Sequence, residues 1–152
     1  MAIQEGIEVR VFDAIFVELQ KIGTPAVGWQ NSWSTQPLVL DGVPSGPILV
    51  ESKPKVMLHY DATVNRASEG LAGPSHSTRI NYVAFAAAKS LREALRVRAD
   101  ITRAVRRGEQ AITTIAGYTP LADDSQYRSD LGDAGVHVIA VAITCDVTEA
   151  HE

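Results

Sequence analysis

Residues 55–64 read KVMLHYDATV and residues 78–87 read TRINYVAFAA, and both stretches alternate with a period of two. Val56, Leu58, Tyr60, Ala62 and Val64 fall on one side of the first, and Lys55, Met57, His59, Asp61 and Thr63 on the other. In the second, Ile80, Tyr82, Ala84 and Ala86 alternate against Asn81, Val83, Phe85 and Ala87. Successive strand residues point to opposite faces, so the spacing predicts two strands paired antiparallel. They are joined by NRASEGLAGPSHS, residues 65–77. That segment is too long for a tight turn and carries Gly70, Gly73 and Pro74, which predicts a mobile, protruding loop.

Downstream, Leu91, Ala94, Leu95, Ile101, Ala104 and Val105 recur at helical spacing, interrupted by Arg98. Ser90 suits the N-cap and Gly108 the C-terminal stop. Between Lys89 and Arg107, seven basic residues stand against Glu93 and Asp100, a local charge of +5 in a chain of net charge −4, so everything else sums to −9. Acid is concentrated in loops such as those holding Asp123, Asp124, Asp130 and Asp133. The basic residues as a group fall on several helix faces, but Arg92, Arg96 and Arg103 share one through four- and seven-residue spacing. An acidic neighbouring subunit suits them better than DNA in a net acidic chain; a plain solvated face is the alternative reading.

Upstream, Ile7, Val11, Phe12, Ile15, Phe16, Leu19 and Ile22 form the buried stripe of an amphipathic helix, ended by Gly23 and Thr24-Pro25. Residues 23–54 hold five of the seven prolines and both tryptophans. They predict a long irregular connection with short strand pieces at Leu38–Leu40 and Ile48–Val50. Trp29 and Trp33 are either anchors for a partner subunit or cover for the domain's own core. After a second irregular region, 109–135, the chain closes with a strand over Val136–Val147. There Ile139, Val141, Ile143, Cys145 and Val147 alternate with the mostly smaller Val138, Ala140, Ala142 and Thr144, as in a central strand covered on both sides. The fold class is α+β: a mainly antiparallel sheet with an N-terminal helix and a second, basic helix packed on it, in one domain spanning 1–152 with an irregular insert around 24–54.

Composition bounds the function from outside. With 45% hydrophobic and 21% charged residues the chain is an ordinary globular sequence. No apolar run approaches the roughly 20 residues that span a bilayer, and acidic residues stand where a signal peptide carries positive charge, so the expected compartment is cytosolic or a virion assembled there. Cys145, the single cysteine, lies in an apolar strand pattern and is expected to be buried. His59 and Asp61 project from one strand face and His76 lies in the following loop, a set that a small metal-dependent hydrolase would use, although such spacing equally describes surface residues. The arginine-rich helix is the one candidate for a nucleic-acid-binding module. Neither a phosphate-binding glycine motif nor a motif around a nucleophile is present.

The helix VRVFDAIFVELQKI, the strands PKVMLHYDATV and TRINYVAFAAA around their loop, the helix LREALRVRADITRAV and the closing HVIAVAITCDVTEA follow one another in an order that resembles tail terminator (tail completion) proteins of long-tailed bacteriophages and related phage-like particles. The likeness covers most of the chain; the Trp- and Pro-rich insert at 28–54 is longer than that family's pattern. The resemblance implies a structural virion protein without catalysis, cofactor or metal. It would close into a homo-oligomeric, hexameric ring that caps the tail tube protein, ends tail elongation and presents a surface to a neck or head-completion protein. DNA would pass through the lumen without sequence-specific binding, and the site of residence would be the head-proximal end of the tail. Another neck or head-completion ring protein is the nearest alternative. On this reading Arg92, Arg96, Arg103, Trp29 and Trp33 belong to the subunit interface, and Arg66, Glu69, Gly70, Leu71, Gly73 and His76 to the loop that meets the tube or neck.

Overall fold

The computed structural model describes residues 6–29, 36–66, 75–117, 120–122 and 124–150. Its elements are α1 (Ile7–Gln20), β1 (Leu38–Asp41), β2 (Lys55–Arg66), β3 (Ser75–Ala88), α2 (Leu91–Arg107), α3 (Glu109–Ala116), β4 (Ser125–Tyr127) and β5 (His137–Ala150), with short 3-10 turns at Pro25–Val27 and Ser129–Leu131. The strands form one sheet in the order β1-β2-β3-β5-β4, antiparallel throughout except where β1 meets β2. This is the expected α+β architecture, with the N-terminal helix and the arginine-rich helix on one face of the sheet.

That face holds the main core. Val11, Ile15 and Leu19 of α1 bury the stripe read from the sequence, while Phe12 and Phe16 stack at its rim with centroids 6.2 Å apart. Full burial of each aliphatic side chain contributes about 1.5–3 kcal/mol. Beneath α2, β3 presents Ala84, Ala86 and Ala88, all fully buried, and their small size lets the helix lie close to the sheet. Ala94, Val97, Ile101, Ala104 and Val105 fill that contact. The Ser90 hydroxyl accepts from the Glu93 amide at 3.1 Å, so the helix begins at the expected cap.

Several expectations need correction. Leu91 and Leu95 are not in the buried stripe of α2: they are 47% and 51% exposed, and Val97 takes the inward place. The region 109–135 is not wholly irregular, because α3 starts directly at Gly108 and β4 pairs with β5. Bridges Gly117↔Val147 and Leu121↔Thr144 continue that pairing as a broken edge along β5. The small face of β5 is only partly covered, with Ala142 exposed.

β2 also departs from strict alternation. Tyr60 pairs with Tyr82 and Ala62 with Asn81, which leaves Asp61 as an extra, bulged residue. Beyond it the faces exchange, so Thr63 pairs with Ile80 on the helix side and Val64 turns to solvent at 49% exposure. Both hairpin strands run further than expected, with Arg66 opposite Ser77.

The parallel contact between β1 and β2 explains much of the proline-rich insert. Parallel neighbours require a crossover of about a dozen residues or more, and residues 42–54 supply it across the face opposite the helices. Ile48 anchors that crossover: its amide donates to the Leu131 carbonyl at 2.8 Å, and its carbonyl accepts from the Asp133 amide at 3.0 Å. There it joins a second, smaller core with Met57, Phe85, Ala87 and Val138. The expected strand piece at 48–50 is thus only a bridge, Ile48↔Gly132.

Candidate assembly surfaces

The outer side of α2 is more strongly basic than the sequence suggested. Arg92, Arg96, Arg103, Arg106 and Arg107 are all exposed and lie within one arc of the helix, while Arg98 lies on another side, against Ser125. They divide into two environments. Arg92 and Arg96 border a shallow groove of about 480 Å³ whose remaining walls are Leu91, Leu95 and Ala99. Arg103 and Arg107 lie over the Trp29 ring, their guanidinium carbons 4.9 and 4.7 Å from its centroid.

Trp29 is only 3% exposed and belongs to the main core, where it closes the end of α1 against α2. Of its two readings, core cover is the one with contacts in the subunit. Arg103 accordingly has an intramolecular stacking role that its helical spacing did not reveal. Trp33 lies outside the described residues.

Among the tube-contact candidates, Arg66 and His76 lie within strands, opposite Ser77 and Glu149, and not in a loop. Glu69, Gly70, Leu71 and Gly73 lie outside the described residues. The same register separates the proposed metal set. His59 stands opposite Val83, seven residues along β3 from His76, which is roughly 23 Å of strand. Among the described residues no group of three His, Cys, Asp or Glu side chains is placed to hold a metal ion.

His59 and Asp61 instead edge a trough of about 470 Å³ on the open sheet face, floored by Val83, Ala140 and Ala142 and closed on the far side by Asp124 and Arg128. Arg128 binds Asp130 through two hydrogen bonds of 3.0 and 2.9 Å, and this pairing holds the Asp130 carboxyl below its usual range.

Another concavity, of about 540 Å³, opens between the start of α1 and the β1–β2 edge. Glu8, Asp13 and Asp41 supply three carboxylates, and Val9, Phe12 and Tyr60 supply apolar surface over buried Tyr82. The Tyr82 hydroxyl donates to the Glu8 carbonyl, and Thr63, turned inward by the bulge, hydrogen-bonds Tyr60 and approaches the Glu8 carboxylate at 3.5 Å. These residues come from four separate elements, and no local spacing in the sequence marks them. Burial pushes the Tyr82 hydroxyl above its ordinary pKa, and pushes the Cys145 thiol on neighbouring β5 up to about 12. The buried thiol is therefore held neutral and unreactive.

The sheet is open at one end. β1 accompanies β2 only as far as Asp41↔Leu58, and the described partners of β5 on its outer side end at Gly117↔Val147. Past those points the described sheet is a three-stranded ribbon of β2, β3 and β5 whose outer backbone groups have no strand partner among the described residues. No protein-family model matches the chain, and no curated protein sequence matches it.

Proposed function

We propose that the chain is a tail terminator subunit: a structural virion protein that closes into a hexameric ring on the head-proximal end of a phage or phage-like tail tube, stops its elongation and offers the surface to which the neck or head joins. The observation that carries this reading is the succession of helix, long hairpin, helix and closing strand folded as one sheet with its helices on one face. Two further features support it. A ribbon whose edges have no strand partner among the described residues suits contacts made by backbone pairing with neighbouring subunits or with the tube. A subunit with a basic helix face and an acidic remainder suits head-to-tail closure of a ring. A net acidic ring would also let DNA pass through its lumen without adhering.

The test uses purified chain and elongating tail tubes from the same particle. Addition should place the protein at one end of each tube and halt growth there, and particles lacking it should carry overlong tubes without heads. Tubes that grow to the same length with no protein at either end overturn the assignment. Binding to the head vertex without any effect on tube length assigns the chain to the neck instead.

A further inference from the structure

Resting on the ring reading above, we infer that the groove of Leu91, Leu95, Arg92 and Arg96 on α2 docks into the acidic, aromatic cleft between α1 and the β1–β2 edge of a second copy of this chain. The two concavities have complementary chemistry. One presents two exposed leucines flanked by guanidinium groups. The other presents Val9, Phe12 and Tyr60 flanked by the carboxylates of Glu8, Asp13 and Asp41. Exposed leucines have no role in the subunit's own core, and three carboxylates around an apolar floor favour a cationic, amphipathic occupant.

Their positions make the occupant a second copy. Leu91, Leu95, Arg98 and Thr102 follow one another at four- and three-residue steps and so share one side of α2. That side faces the β4 flank, because the Arg98 guanidinium donates to the Ser125 hydroxyl at 3.3 Å and the Thr102 hydroxyl to the Ala122 carbonyl at 3.2 Å. Further round α2, Arg103 and Arg107 lie over Trp29, where the helix meets the end of α1. The cleft lies at the other end of the sheet order, on β1 and β2. Complementary surfaces on opposite flanks cannot meet within one chain. They meet between chains related by a rotation, which is the heterologous contact that generates rings.

Charge reversal separates the two surfaces. The variants R92E/R96E and D13R/D41R change exposed residues, so each should keep the wild-type circular dichroism and melting temperature. Light scattering should show each alone as monomer at concentrations where wild type forms rings, an affinity loss of at least tenfold. Mixed, they should recover rings in which the two variants alternate, because the intact groove and cleft pair with each other and so do the two reversed ones. A chain carrying all four reversals should recover rings. As a readout independent of charge, V9C and L95C chains should form an intermolecular disulfide only when mixed. Rings that persist in both variants alone, or a mixture that yields neither rings nor disulfide, overturn this pairing and leave the ring itself standing. A wild type that is monomeric at every concentration and on tail tubes overturns the ring and the pairing together.

Discussion

Gly108 lies against the side chain of Glu18: a Cβ added at Gly108 would stand 2.2 Å from Glu18 Cγ and 2.6 Å from its Cδ. Gly108 is both the end of α2 and the start of α3, with φ at −87°, a value open to any residue. Glycine is needed there for space, since Glu18 is buried and held by Lys21 at 2.9 Å. Gly108→Ala should therefore cost about 1–3 kcal/mol by overpacking. Chemical denaturation checks this, and the penalty should shrink in a Glu18→Ala background, as coupling between touching residues requires.

The arginines of α2 should separate by stability. Arg103 stacks on Trp29, so Arg103→Ala should cost about 0.5–1 kcal/mol. Arg92→Ala and Arg96→Ala, beside the open groove, should stay within about 0.5 kcal/mol of wild type. Trp29→Ala should cost about 3–5 kcal/mol, the range for a buried aromatic residue. Thermal melts of the four variants check the order. Equal effects at positions 92 and 103 would remove the stacking role.

Alkaline pH should destabilise the fold through two buried groups. Cys145 ionises near its ordinary value of 9.0 in the unfolded chain but only at about 12 in the native one. Tyr82 is likewise raised above its ordinary 10.0, mainly by burial. In that window the native state keeps protons that the unfolded state has lost, so stability is full below pH 9 and falls as pH rises towards 12. Melts between pH 8 and 11 should show the decline, and Cys145→Ala should lessen its onset. At pH 8, Cys145 should react with a thiol reagent only after unfolding.

The hairpin end can be tested with the register of β2 and β3 kept, at the loss of only the first two residues of β3. Replacing residues 67–76 by Asn-Gly keeps Arg66 opposite Ser77, the register of the native ladder, with a turn suited to two-residue hairpins. The subunit should fold with a near-native melting temperature but fail to cap tail tubes. Tubes of normal length that still join heads would make this segment a plain connector.

The sequence by itself determined the elements whose pattern is local. The Val11, Ile15 and Leu19 stripe of α1, the Ser90 cap of α2 and the alternation along β3 and β5 each depend on a residue's own spacing, so they were legible before any partner was known. The bulge at Asp61 was not, because an extra residue is defined only by the strand opposite it, and the side exchange of Thr63 and Val64 follows from that pairing. Leu91 and Leu95 share the helical period of buried residues, yet α2 presses its Ala94, Val97 and Ile101 side on the alanines of β3 and leaves them outside. The acidic cleft draws Glu8, Asp41 and Tyr60 from three elements far apart in the chain. Only tertiary packing decides which surfaces are left over once the core is filled, and the candidate assembly contacts lie on those surfaces.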